Sequence, residues 1–136
     1  MLDLGDENSA ELPDGLTLVR HLEAYDGPIL SEYSGKNSAV YIEKWCEREG
    51  NVSRYLLVRS NQRSIAEFLG NKLSMLQLLK DESDGVGFVI DRQNGDINGV
   101  HVAPLSRLPR KYFPTRDRMH DEDLRQIGRA SCRERV

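Results

Sequence analysis

Three side chains have the types that acid–base or nucleophilic chemistry needs: His101, Cys46 and Asp26. His101 stands between two valines in "VHVA", and histidine is the residue type that titrates nearest neutral pH. On a strand it points opposite to Val100 and Val102, toward solvent or a groove. Cys46 would act as a nucleophile only as a thiolate beside a base. It has no CxxC partner and no glycine-rich elbow, so the expected role is a small buried hydrophobe, and no sequence signature supports a nucleophile. Asp26, in "YDGP", can serve as an acid or simply cap its own turn through a side-chain hydrogen bond. A small hydrolase using His101 with Asp26 or Cys46 is one reading, and it requires these groups to converge in a single cleft. Spacing alone assembles no nucleophile, base and oxyanion donor, so no residue is assigned as catalytic.

Other site chemistries are not supported. His21 and His120 are the remaining histidines, and no pair has the i, i+4 spacing of a helical metal site. "DESDG" and "DRQNGDING" have the flavour of calcium loops. The twelfth position counted from Asp81 is Arg92, however, where an EF-hand needs glutamate. "GVG" at 85–87 lacks the rest of a dinucleotide fingerprint. No metal and no cofactor is expected. Residues 107–118 mix basic side chains with Tyr112 and Phe113, a composition that can bind nucleic acid. The formal charge of −3 argues against that, because phosphate binding needs net cationic surface.

The last ten residues, "IGRASCRERV", bear on that charge. Back-translated as ATC GGA AGA GCG TCG TGT AGG GAA AGA GTG, they resemble a short-read sequencing adapter in frame. The adapter has AG immediately before this ATC, and a CAG codon for Gln126 supplies it. Residues 127–136 are therefore expected to be adapter-derived. The natural sequence is expected to be interrupted near Arg125, with 116–126 the mobile end of a truncated chain. Without the ten, 16 basic against 21 acidic residues leave a charge of −5, and Cys46 is the only cysteine.

The elements that must position these groups follow from turns and periodicity. Residues 1–14 are acidic and lack apolar periodicity, which predicts a disordered lead-in to a single domain over 15–115. "LTLVRHLEA" suits a first strand, 25–28 a turn, "ILSEYS" a second strand and 35–38 another turn. "SAVYIEKWCERE" is the clearest strand. Alternation puts Val40, Ile42 and Cys46 on one face, with Tyr41, Glu43, Trp45 and Glu47 on the other. A turn at 50–51 leads to "SRYLLVRS". The period then becomes helical, capped by Ser60, Asn61 or Ser64 and closed by Gly70 as its C′ residue. Ser74 caps a second short helix, "MLQLLKD". "VGFVIDR" places Val86, Phe88 and Ile90 together. The Asn-Gly pairs of "QNGDING" turn the chain into "VHVA", which Pro104 stops. Beyond it, Leu105, Leu108, Tyr112 and Phe113 are expected to anchor a segment wrapped over the domain. The predicted class is α+β: a small antiparallel meander with two short helices inserted between strands and packed on one face.

"YDGPIL", "VYIEKW", "YLLVRSNQRSIAEFLGNKLSMLQLLKD" and "RLPRKYFP" together resemble a bacterial family described as domain of unknown function number 6575. The likeness spans about residues 20–115. It rests on residues 25–28, the strand, the helix near Ser60, the break at Gly70, the second helix and the late "LP…P". It implies the same architecture and no activity, cofactor or residue role.

The leading functional expectation is a non-catalytic binding or regulatory module acting by protein contact. Tyr25, Tyr41 and Trp45 are its candidate binding residues, around an exposed apolar patch and without a deep polar pocket. No apolar run approaches 18 residues, so no membrane span is expected. The acidic amino-terminal stretch has no signal-peptide pattern, which makes the cytoplasm the expected compartment. Nothing in the sequence sets the oligomeric state.

Overall fold

The computed structural model describes residues 11–24, 28–81 and 83–114. Residues 25–27 of the turn expected at 25–28, Tyr25 and Asp26 among them, lie outside the described residues. So do His120, residues 115–118 of the basic stretch, the expected mobile end and the adapter-like 127–136.

Six strands form one antiparallel sheet in chain order: β1 (Thr17–Ala24), β2 (Pro28–Ser34), β3 (Val40–Glu49), β4 (Val52–Ser60), β5 (Val86–Gln93) and β6 (Asp96–Pro104). Each joins its neighbour through a short connection except β4 and β5, which bracket the helical part. The molecule is therefore mostly sheet. Its helical content among the described residues is smaller than the α+β expectation: one α-helix, α1 (Gln62–Leu69), a short turn that is π-wound over Gln77–Asp81, and 3₁₀ turns at Lys36–Ser38, Leu105–Arg107 and Arg110–Tyr112.

Cap chemistry explains both helical pieces. Of the three candidate caps, Asn61 is the one used: its side chain accepts from Ser64 N at 2.8 Å. The exit differs from expectation. Gly70 has an ordinary φ of −86°, and Asn71 takes the left-handed position at φ 59°. Asn71 N donates to Phe68 O and Lys72 N to Glu67 O, the paired bonds of a Schellman ending. In the next turn Ser74 and Gln77 cap each other, Gln77 N to Ser74 Oγ at 3.2 Å and Ser74 N to Gln77 Oε1 at 3.0 Å.

Residues paired across neighbouring strands share a face, so the register sorts the sheet into two sides. On one, Leu30, Ile42, Leu56, Val58 and Val89 pack against Ile65 and Phe68 of α1 and Leu78 and Leu79 of the π-turn. The wrapped segment adds Leu105, Leu108, Tyr112 and Phe113, all four buried as expected. Gly87 makes this approach possible. A Cβ there would lie 2.8 Å from Leu105 Cδ2 and 2.9 Å from Leu56 Cδ1. Gln62 and Arg20 both donate to Glu32, at 2.9 and 2.8 Å, tying the start of α1 and the edge strand to β2.

The other side has no helix on it among the described residues and is called the open face below. Tyr41, Leu57, Ile90 and Ala39 form its buried cluster, with Tyr33, Tyr55 and Phe88 half-buried around them. Leu12 and Leu16 also pack here, and Lys36 N donates to Asp14 O at 3.1 Å. The described end of the acidic stretch, 11–14, thus belongs to the fold rather than to a lead-in.

Two local features depart from simple alternation. The β3–β4 register slips between Trp45 and Glu47, so Cys46 is an extra residue and Glu47 pairs with Arg54. Glu47 consequently turns to the helix-covered face, away from Tyr41, Glu43 and Trp45. In "QNGDING" only the first Asn-Gly is a turn. Asn94 and Gly95 have φ of 54° and 85°, the left-handed pair a tight hairpin needs. Asn98 and Gly99 already belong to β6, which is longer than "VHVA".

Candidate functional site

Of the residues singled out for catalysis, the two that are described, Cys46 and His101, do not converge. Cys46 sits at the β3 bulge, with Sγ 3.5 Å from Lys44 O and 3.6 Å from Tyr112 O. Burial pushes its thiol up to about 11, against the charged form a nucleophile requires. His101 is half-buried on the helix-covered face of β6, and its Nδ1 is buried without a hydrogen-bond partner among the described residues. β3 and β6 are separated by β4 and β5, so three strand spacings, roughly 14 Å, lie between the thiol and the imidazole. Asp26 lies outside the described residues.

The binding candidates also separate. Trp45 is 40% exposed, whereas Tyr41 is 8% exposed and belongs to the open-face cluster. The patch expected around both is reduced to Trp45 and its half-buried neighbours. In the described part of the basic stretch, Arg107 and Arg110 are exposed. Lys111 is paired with Glu47 at 2.9 Å, and the rings of Tyr112 and Phe113 are buried in the core, unavailable for stacking on bases.

The structure instead assembles a polar cluster on the open face. Glu43, on β3, is 4% exposed. Its Oε1 accepts from Arg92 Nη1 at 2.8 Å and from the Tyr33 hydroxyl at 3.3 Å. Arg92 comes from β5, so its side chain crosses β4, with its guanidinium 5.0 Å from the centre of the Tyr55 ring. Alongside, His21 Nδ1 and Ser31 Oγ are 2.8 Å apart, and Ser31 is the register partner of Glu43. Glu43 Oε2 is buried with no hydrogen-bond partner among the described residues.

Burial dominates this cluster. It raises the Glu43 carboxyl above its ordinary value, although Arg92 and Tyr33 pull the other way. It also raises the Tyr33 hydroxyl, helped by the neighbouring Glu43 charge. For Arg92, burial works against the cation, but Glu43 and Tyr33 outweigh it and hold the pKa above the ordinary value. Ser31 is 3% exposed, so the His21–Ser31 contact offers no open nucleophile; it fastens the edge strand to β2. The sequence signal that marks this cluster is a charge in the inward phase of a strand. Glu43 alternates with Tyr41 and Trp45, and Arg92 with Phe88 and Ile90.

A second ionic group lies on the covered face at the end of the sheet. Arg54 Nε donates to Asp91 at 2.7 Å and its Nη1 to Glu47 at 2.6 Å, with the Tyr112 hydroxyl 3.5 Å from Nη1. The Asp91 bond and then the Glu47 bond raise the Arg54 pKa against its partial burial. Lys111 and Arg54 together lower Glu47. Burial lifts the Tyr112 hydroxyl to about 12, against the pull of Arg54. These contacts clamp the wrapped segment to β3, β4 and β5, which is a structural task.

Among the described residues no group of three or more histidine, cysteine or acidic side chains is placed to hold a metal, and no helix is long and apolar enough to cross a membrane. Comparison with protein-family models, curated proteins and solved structures finds no match to this chain.

Proposed function

We propose that this chain is a non-catalytic binding module that acts by protein contact through the open face of its sheet. The observation that carries the reading is the row of side chains there. Trp45 is exposed, Tyr33 and Tyr55 are half-buried, and the Arg92 guanidinium sits over the Tyr55 ring. Tryptophan, tyrosine and arginine dominate binding energy at protein interfaces, because each buries a large area while keeping a polar handle. Arg92 is already held by Glu43, so little side-chain freedom remains to be lost on contact. The separation of Cys46 from His101 and the elevated thiol pKa favour binding over the hydrolase alternative. A cytoplasmic setting fits the free cysteine at position 46.

A photo-crosslinking residue tests the reading. Placed at Trp45, it should give a discrete protein adduct in cells. Placed at Glu67 on α1, which faces solvent from the covered side, it should give none. Equal labelling from both positions, or none from Trp45 in a folded variant, removes the open face as the contact surface.

A further inference from the structure

The sheet ends in two edges that are built very differently. β1 breaks register three times along Thr17–Ala24 and pairs its half-exposed Arg20, on the helix-covered face, with the buried Glu32. Bulges and inward charges are how natural sheets stop an edge from pairing with another chain. β6 has neither protection over its second half. Its one slip lies at the hairpin end, between Asp91 and Arg92 of the partner strand, and six pairs from Gly99 to Pro104 follow in regular register. No charged residue occurs from Ile97 to Ser106. After Pro104 the chain turns back over β5, where Leu105 N donates to Gly85 O at 2.9 Å, so among the described residues nothing pairs with the outer side of β6.

The sequence of this edge reads nearly the same in both directions: Gly99, Val100, His101, Val102, Ala103. An antiparallel strand laid beside it with His101 opposite His101 would place Val100 against Val102 of the second copy, and Gly99 against Ala103. Directly opposed residues share a face, so valine would meet valine on the open face of each copy, histidine would meet histidine, and only the small residues Gly99 and Ala103 would differ, by one methyl group. A two-fold axis through His101 would also keep both helix-covered faces on the same side. We propose that β6 pairs with β6 of a second copy in this register, joining two six-stranded sheets into one and making their open faces continuous. The contact is distinct from the open-face surface, and its test does not depend on that surface being occupied.

A single edge contact falls below the roughly 1,200 Å² of stable interfaces, so the expected association is weak, with Kd of about 10–100 μM. Sedimentation equilibrium of the full chain, under reducing conditions, should show reversible dimers over that range. Three variants then read the register. His101→Lys opposes two like charges at the axis, and Val100→Lys breaks both valine pairs. Each should raise Kd about tenfold or more. Val100→Lys combined with Val102→Glu sets each lysine against a glutamate of the other copy, and should return Kd to within about threefold of the original. Circular dichroism melting confirms that each variant is folded. Positions 100 and 102 lie on the open face, so the double variant reads the register even if His101→Lys fails to fold. A monomer throughout, or a double variant no tighter than Val100→Lys alone, overturns the proposal.

Discussion

Glu43 and Glu47 lie four residues apart on β3, each bonded to an arginine, one on each face of the sheet. The open-face residue is the more buried of the two, with side-chain exposure of 4% against 20%. Glu43 gathers Arg92 and Tyr33 on one oxygen and leaves the other without a partner among the described residues, so the cost of burial outweighs the bonds and its pKa rises. Glu47 divides Lys111 and Arg54 between its two oxygens at a wetter place, so the bonds outweigh burial and its pKa falls. The same residue pair thus has opposite electrostatic character. What decides it is how many donors each oxygen receives and how dry the site is. The covered face invests its charges in holding the chain together, whereas the open face keeps a charge under aromatic cover near an exposed tryptophan.

The strongest way to break that contrast is to remove neighbouring core residues on opposite faces. Leu56 and Leu57 are consecutive in β4 and are 0% and 1% exposed. Leucine to alanine in a core costs about 2–5 kcal/mol, more where the surroundings cannot collapse. Leu56 is wedged against the Gly87 backbone under the wrapped segment, so Leu56→Ala should cost about 4 kcal/mol. Leu57 faces the half-buried tyrosines, which have room to move, and Leu57→Ala should cost about 2 kcal/mol. Urea unfolding of the two variants measures both values. Equal costs would mean that the open face is packed as tightly as the covered one.

A smaller effect separates the two arginines. Arg54→Met removes the bonds to Asp91 and Glu47 together and should cost about 2–3 kcal/mol, below the range for fully buried pairs because both carboxylates keep some exposure. It should also speed amide exchange at the 3₁₀ turn Arg110–Tyr112, which the network fastens down. Arg92→Met should cost less, about 1–2 kcal/mol, because Glu43 can respond by taking up a proton. Faster exchange at Arg110–Tyr112 in Arg92→Met as well would show that the two clusters are coupled through the sheet.

Much of this architecture was legible because it rests on local chemistry. The meander order follows from Asn-Gly and glycine turns between alternating runs, and the wrapped anchors Leu105, Leu108, Tyr112 and Phe113 stand out between prolines and cations. What sequence could not place depends on register. The bulge at Cys46 inserts one residue into β3 and turns Glu47 over, and no residue type at positions 45–47 announces it. The second Asn-Gly, at 98–99, looks like a turn and is strand, because Asn94 and Gly95 have already closed the hairpin. Asn71 in place of Gly70 as the left-handed residue is a one-position shift of the same kind. The open-face cluster was missed for a different reason. Glu43 and Arg92 are far apart in sequence, and each alone reads as an ordinary strand charge; only the lateral order β3-β4-β5 puts one within reach of the other across Tyr55.

The finest test of the contrast is the pH dependence of stability, where the two glutamates should act in opposite directions. Glu47 has a folded pKa below its ordinary 4.5. Its contribution is therefore fully present above that value and is lost as pH falls through the folded pKa. Glu43 has a folded pKa above 4.5. The folded state holds its proton more tightly than the unfolded chain, so stability declines as pH rises from 4.5 through the folded value. Glu47→Gln should lower stability near neutral pH and flatten the loss on the acid side. The expected size is only a few tenths of a kcal/mol, because solvent screens the pair. Glu43→Gln should leave the acid limb unchanged and flatten the decline above pH 4.5. Melting temperatures recorded for both variants from about pH 3 to pH 8 separate the limbs. If Glu43→Gln alters the same acid limb as Glu47→Gln, then Glu43 is ionised through its bonds to Arg92 and Tyr33, and the two faces treat their charges alike.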